Sequence, residues 1–178
     1  PANTHLVGDL CVVDEGMVIE NHSDEDVLGV KSIGENIFNL YSSVNYPDEL
    51  SDIIIKNTGN GDVYGMYGYG NAQVFNSYIS DDYKGLAGVG NIKIESSGSG
   101  NVYGMYSQID DITGYKEAIN ATAWYGGTAY GNIDIKSTGT GDVYGIYGDV
   151  RAYNTRADYS SNAYGNINLE GYGNIYGI

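Results

Sequence analysis

Of 178 residues, one is Cys, two are Pro, two are Phe, one is Trp, and eight are Lys or Arg. Each shortage excludes something. A lone Cys11 cannot close a disulfide within the chain, so packing and backbone hydrogen bonds must hold the fold. In the run Leu10-Cys11-Val12-Val13 it reads as a small buried hydrophobe rather than a reactive thiol. Eight basic side chains against 23 acidic ones give a formal net charge of −15. With Arg151 and Arg156 forming no basic patch, direct binding of nucleic acid or anionic lipid is not expected. No apolar run approaches the roughly 18 residues of a membrane span. The start Pro1-Ala2-Asn3 lacks the charged and apolar parts of a signal peptide, so the sequence reads as a mature or excised soluble portion of a protein. Scarce Pro excludes collagen, and seven leucines are too few for an ordinary helical protein.

What the chain has instead is 27 Gly and 19 Tyr, with an apolar fraction of 42% that separates it from low-complexity disorder. Gly stands at roughly twice its usual share of about 7%. Tyr, Val and Ile favour pleated, half-buried surfaces, so the expectation is an all-β protein whose glycines serve a repeated turn or a close packing contact.

The chain repeats. Asp52-Ile53-Ile54-Ile55-Lys56-Asn57-Thr58-Gly59-Asn60-Gly61-Asp62-Val63-Tyr64-Gly65-Met66-Tyr67 returns position by position from Asn91 to Tyr106 and from Asn132 to Tyr147. A shortened copy runs from Asn166 to Ile178, and a more divergent one aligns Met17 to Asn21 and Asp26 to Val30, with Ser23-Asp24-Glu25 in place of Gly-x-Gly. Asn36 to Tyr41 reads as a half-copy of the second strand. Motifs beginning at 17, 53, 92, 133 and 167 are spaced 36, 39, 41 and 34 residues apart. Such drift suits a solenoid, in which each coil stacks on the one before and equivalent residues form ladders about 4.8 Å apart. The expected fold is a single-stranded parallel β-helix with loop insertions, residues 17–178, preceded by a cap or docking segment over 1–16. One repeat is either two coils or one coil carrying an insertion.

Each motif divides into two short strands and a turn. In Ile92-Lys93-Ile94 and its equivalents the outer positions are apolar and the middle one varies, the alternation of a strand with one buried face. Gly59, Gly61, Gly98, Gly100, Gly139 and Gly141 supply the turn, and Gly65, Gly104 and Gly145 lie at the centre of the second strand. In that strand the Tyr64 and Met66 positions are expected to point inward. The Tyr67 position admits Lys31 and is expected to face out. Between motifs lie Gly68–Gly90, Ser107–Gly131 and Gly148–Gly165, each ending on a Gly before Asn. Residues 115–121 read equally as a short helix or as a strand with a loop. These insertions are expected to gather on one side and to carry any specific recognition.

The pair Asn-Ile-x-Ile and Gly-x-Gly-Asp/Asn-Val-Tyr-Gly-Met/Ile-Tyr, over about residues 17–178, resembles the β-helical passenger regions of bacterial autotransporters and similar large exported adhesins. That resemblance implies a right-handed solenoid, display on the outer surface of a bacterium, and a role as adhesin or stalk with a glycan or host-surface protein as partner. It also implies a piece of a longer passenger, since no barrel-like segment follows and Tyr176-Gly177-Ile178 stops one residue short of the motif's last Tyr. The close alternative is a filament subunit self-associating through open solenoid ends. A polysaccharide-binding or polysaccharide-degrading β-helix comes next.

Residue chemistry points away from catalysis and from a resident cofactor. Gly59-Asn60-Gly61-Asp62 resembles a calcium repeat, but that pattern needs Gly-x-Gly-x-Asp, and Asn101 replaces the acid in the next copy. A turn in which Asp or Asn bonds the backbone is the better reading. Asp24-Glu25-Asp26, Asp81-Asp82 and Asp110-Asp111 read as solvated charge, with weak calcium binding as their only metal chemistry. A polysaccharide-cleaving site needs converging carboxylates with a base, and Arg151 and Arg156 have only Asp149 and Asp158 nearby. His5 and His22 lack a second ligand at metal spacing. Tyrosines can stack on sugars; Tyr67, Tyr106, Tyr147, Tyr125 and Tyr153 are the candidate contacts, although a stacked ladder stabilising the solenoid is the favoured role for the repeat tyrosines.

Overall fold

In the computed structural model the described residues are 4–7, 10–13, 17–34, 36–42, 52–70, 73–79, 87–109, 118–123, 128–148, 152–157 and 162–178. Every regular element among them is a strand. A hairpin of β1 (Thr4–Val7) and β2 (Leu10–Val13) comes first, followed by β3 (Met17–Asn21), β4 (Val27–Ile33) and β5 (Asn36–Ser42). The second circuit is β6 (Ile53–Asn57), β7 (Val63–Gly70) and β8 (Gln73–Ile79), and the third is β9 (Ala87–Ser96), β10 (Val102–Ile109) and β11 (Ala118–Ala123). Then come β12 (Thr128–Ser137), β13 (Val143–Gly148), β14 (Ala152–Ala157), β15 (Asn162–Glu170) and β16 (Ile175–Tyr176).

Pairing joins each strand to the third one after it. The sheets run β3-β6-β9-β12-β15, β4-β7-β10-β13-β16 and β1-β2-β5-β8-β11-β14, parallel throughout except for the antiparallel β1–β2 pair. We refer to these as the Ile, Tyr and Asn sheets. This is the arrangement of a parallel β-solenoid, with one three-strand circuit per repeat. Register follows the sequence alignment: Ile53 lies beside Ile92, Ile92 beside Ile133, and Ile133 beside Ile167.

The third side of the solenoid corrects two expectations. Asn36–Tyr41 is not a second-strand half-copy: β5 pairs with β8 in the Asn sheet, placing Phe38 beside Phe75. The stretches read as insertions are not loops alone, since β8, β11 and β14 form the third side of the solenoid. Residues 118–121 accordingly belong to a strand, while 115–117 lie outside the described residues.

The core is a column of repeated apolar pairs. Ile53, Ile55, Ile92, Ile94, Ile133 and Ile135 point inward from the Ile sheet, and Val63, Met66, Val102, Met105, Val143 and Ile146 from the Tyr sheet, all at most 6% exposed. Burying each such side chain favours folding by about 1.5–3 kcal/mol. The Tyr sheet reaches this arrangement through a bend. Val63, Gly65 and Met66 are all buried, so two successive residues turn inward, and the ladder skips the Gly65–Gly104 pair. Gly65 is required by contact: a Cβ there would sit 2.5 Å from both the Gly104 carbonyl oxygen and Ile92 Cγ2. The bend also moves Tyr64 to the outer face beside Tyr67, against the expectation that Tyr64 and Met66 share the interior.

The Gly-x-Gly corners have the same cause. A Cβ on Gly98 would collide with the Gly59 carbonyl oxygen, one on Gly139 with that of Gly98, and one on Gly59 with that of Ser23. Backbone lies directly on backbone there, and a side chain would separate the coils. Ser23 and Glu25 occupy the equivalent positions of the first circuit, whose β3 and β4 begin their sheets, so no described coil packs beneath them. Among the described glycines, Gly34 and Gly70, at the ends of β4 and β7, have left-handed backbone, with φ of 74° and 70°.

Gly98→Ala is therefore expected to lower unfolding free energy by about 2–4 kcal/mol, against less than about 0.5 kcal/mol for Glu25→Ala. Urea unfolding of the two variants measures this contrast, and equal effects would contradict the backbone-contact explanation.

Candidate functional site

The outer face of the Tyr sheet carries two columns of stacked tyrosine rings. Tyr64, Tyr103, Tyr144 and Tyr176 stack with ring centroids 4.8 Å apart at each step, nearly parallel. A second column, Tyr67, Tyr106 and Tyr147, stacks at 5.1 and 5.2 Å. The columns interlock edge to face, as in Tyr64–Tyr67 at 5.3 Å and Tyr103–Tyr106 at 5.5 Å. Each such pair is worth about 0.5–1.5 kcal/mol beyond the area it buries. Lys31 holds the second column's position in the first circuit, with Nζ 6.0 Å from the Tyr67 ring centroid.

This geometry bears on sugar contacts. Inside the columns each ring face lies against another ring, so outward-facing groups are ring edges and hydroxyls. Tyr106 lies between Tyr67 and Tyr147, while Tyr147 is 41% exposed. Tyr153 is exposed on β14, apart from these columns, and Tyr125 lies outside the described residues. Tyr130 and Tyr164 add a separate stacked pair on the Ile sheet.

Amide and carboxylate ladders run beside the aromatic ones. Asn101 N donates to Asp62 Oδ1 at 2.7 Å, Asp142 N to Asn101 Oδ1 at 2.9 Å, and Asn174 N to Asp142 Oδ1 at 3.0 Å. At the entry to the Ile sheet, Asn91 Nδ2 donates to Asp52 Oδ1, Asn132 Nδ2 to Asn91 Oδ1, and Asn166 Nδ2 to Asn132 Oδ1. A third ladder is buried: Asn76 Nδ2 donates to Asn120 Oδ1 at 2.8 Å, and Asn120 Nδ2 to Asn154 Oδ1 at 2.9 Å. Asn120 and Asn154 also donate to the carbonyls of Gly90 and Gly131. The glycines closing each insertion thus leave room for this ladder, since a Cβ on Gly131 would sit 2.6 Å from Asn154 Oδ1.

On the outer face of the Ile sheet, Glu20, Lys56, Glu95, Lys136 and Glu170 lie side by side in register with alternating charge. Lys56 lies 3.6 Å from Glu20 and Lys136 lies 3.5 Å from Glu170, while Lys93 contacts Glu95 at 3.2 Å. Sequence reading down the motifs missed this row and the buried Asn ladder, although both show once the fourth motif position and the Asn at the centre of each third strand are aligned.

The corner carboxylates are engaged with backbone. Asp24 Oδ1 accepts from Asn60 N and Nδ2, and Asp26 Oδ1 from Asp62 N. Among the described residues no three His, Cys, Asp or Glu side chains converge as metal ligands. His22 Nδ1 is 2.7 Å from Thr58 Oγ1. The remaining sequence candidates, Asp81, Asp82, Asp110, Asp111, Asp149, Asp158 and Arg151, and the side chains of His5 and Cys11, lie outside the described residues. Thermal unfolding in calcium and in chelator is expected to give superimposable curves, and a calcium-dependent midpoint would overturn the corner assignment.

Burial in the stack is the first cause of raised phenol pKa values, with the Asp62 carboxylate second for Tyr64 and Tyr103. Tyr103 is pushed from 10 to about 12, and Tyr64 and Tyr144 also rise. The folded chain therefore holds phenol protons that the unfolded chain releases near pH 10. This contribution to stability is complete below pH 10 and declines as pH rises towards about 12. Parallel tyrosinate absorbance and circular dichroism titrations are expected to show late ionisation coupled to unfolding.

Compared with protein-family models, curated proteins and solved structures, the chain matches none. Fold and surface thus define its class, an all-β chain of parallel sheets with solenoid stacking.

Proposed function

We propose that the chain is a non-catalytic segment of an extracellular adhesin or surface stalk, a right-handed β-solenoid of the exported passenger type, acting by display and contact. One observation carries the reading: among the described residues, the repeated rings, amides and charges of the Ile and Tyr sheets are paired with side chains at equivalent positions on neighbouring coils. Ring faces meet ring faces, amides meet amides, and lysines of the Ile sheet meet glutamates. A binding site needs free convergent groups, and a stalk needs the same contacts repeated along its length. Glycan or host-protein contact, in this reading, falls to tyrosines at column ends and on the Asn sheet, Tyr147 and Tyr153 among them.

The test is made on producing cells. An antibody against the folded chain is expected to label intact cells, and external protease to remove the signal. Labelling only after permeabilisation would sink the proposal.

A further inference from the structure

The two tyrosine columns bring many groups of one oxidisable kind into contact. Tyr64, Tyr103 and Tyr144 stack at 4.8 Å with ring planes within 8° of parallel, and Tyr67, Tyr106 and Tyr147 stack at 5.1 and 5.2 Å. Edge contacts tie the columns together, Tyr64 meeting Tyr67 at 5.3 Å and Tyr106 at 5.5 Å. Stacked rings are equivalent residues of adjacent coils, so the carbons beside each hydroxyl, Cε1 and Cε2, lie over their own equivalents at about the ring spacing. A phenol that loses an electron and a proton becomes a phenoxyl radical, whose unpaired electron is shared with those carbons. Two such radicals on neighbouring rings are already placed to join.

At alternate coils the proton has an acceptor. Tyr64 OH donates to Asp62 Oδ2 at 3.3 Å, and Tyr144 OH donates to Asp142 Oδ2 at 3.4 Å. Burial first and the carboxylate second disfavour the phenolate at both residues. The phenoxyl is neutral, so the same carboxylate is free to take the hydroxyl proton as the electron leaves. At the coil between, this position is Asn101, whose amide is no base. Tyr103, only 9% exposed, stacks against both carboxylate-paired rings.

We infer that the outer face of the Tyr sheet is a site of oxidative coupling, where peroxide and a peroxidase join tyrosines of adjacent coils into dityrosine. Each of two phenols loses one electron and one proton, and the peroxide takes both of each to become water. A carbon–carbon bond forms between Cε carbons, and the hydrogens displaced from them return to the two oxygens. A link from Tyr64 to Tyr103 spans 39 residues and one from Tyr103 to Tyr144 spans 41. Each pins one coil to the next and restricts the unfolded chain as a disulfide would, a constraint that a lone Cys cannot supply within the chain. Stacking gives the neighbour in the same chain a far higher effective concentration than a second molecule has.

The experiment treats the intact chain, dilute and weakly buffered, with hydrogen peroxide and a haem peroxidase, and reads dityrosine fluorescence and cross-linked peptides. Links are expected within single molecules between positions one coil apart: Tyr64–Tyr103, Tyr103–Tyr144, Tyr67–Tyr106 and Tyr106–Tyr147. The linked chain should unfold at a higher temperature. Asp62→Asn combined with Asp142→Asn is expected to slow the Tyr103 links about tenfold, less than a well-aligned base supplies because these hydrogen bonds are long. Circular dichroism should be unchanged, since Asn101 already fills the equivalent position. Tyr103→Phe keeps a ring in the stack and should remove the first-column links while leaving Tyr67–Tyr106. Absence of dityrosine, links mainly between molecules or to Tyr153 and Tyr172, the same pattern in urea, or indifference to the two Asp changes would each overturn the inference. Surface location is read separately on intact cells and stands or falls independently.

Discussion

Everything in this molecule follows from backbone stacked directly on backbone at the interstrand spacing of about 4.8 Å. Equivalent residues of successive coils become nearest neighbours, so a side chain survives at a position only if it tolerates itself one coil away. Ile, Asn and Tyr do so in different ways. Ile fills its own shadow, Asn both donates and accepts, and Tyr stacks. Glu does not, and the row from Glu20 to Glu170 therefore alternates with Lys. These ion pairs are well exposed, so each adds little to stability. Their larger effect is on register, because a slipped coil would place like charges together.

Parallel sheets are ordinarily covered on both faces. Here the inner faces share one column of aliphatic side chains, and the outer faces are protected differently. The Tyr sheet is covered by its interlocked rings, which screen the strands with their own side chains. The Ile sheet relies on its charged row. On the Asn sheet protection is internal: an amide ladder at Asn76 and Asn120, both fully buried, occupies space that an aliphatic side chain would otherwise fill. These amides are tolerated because they bond one another along the ladder, and Asn120 and Asn154 also reach the Gly90 and Gly131 carbonyls, which offsets their desolvation.

Two sides of the solenoid were legible in the sequence and the third was not, for a physical reason. Ile-x-Ile and Val-Tyr-Gly-Met-Tyr repeat because both lie where coils of uniform length meet. The third strands, Gln73–Ile79, Ala118–Ala123 and Ala152–Ala157, are flanked by stretches of variable length and share little beyond the central Asn. One Asn per strand gives no periodicity, so those segments read as insertions. Orientation in the Tyr sheet failed for another reason. Simple alternation places Tyr64 and Met66 on one face, whereas the bend at Gly65 turns Gly65 and Met66 inward together and leaves Tyr64 outside. The glycine that forces this was visible; its meaning depended on Ile92 and Gly104 lying across from it. Among the candidate contacts, the Tyr67, Tyr106 and Tyr147 column was readable because equal motif positions must stack.

Self-compatibility also constrains where recognition can arise. A specific site needs unlike groups brought together, and translational repetition brings like groups together. The Ile and Tyr sheets are close to pure repetition, so their surfaces have a regular texture with few unique addresses. Difference accumulates where the repeat is broken, on and around the Asn sheet. There Ala118, Ile119 and Ala121 stand beside Ala152, Tyr153 and Thr155, and Arg156 follows on the same strand. The acidic excess has a related distribution. Asp62 and Asp142 are bound into the corner ladder and Glu20 and Glu170 into the charged row, so part of the negative charge is structural. Selection for a particular partner would therefore act on the third side, where changing one residue does not oblige its neighbours above and below to change with it.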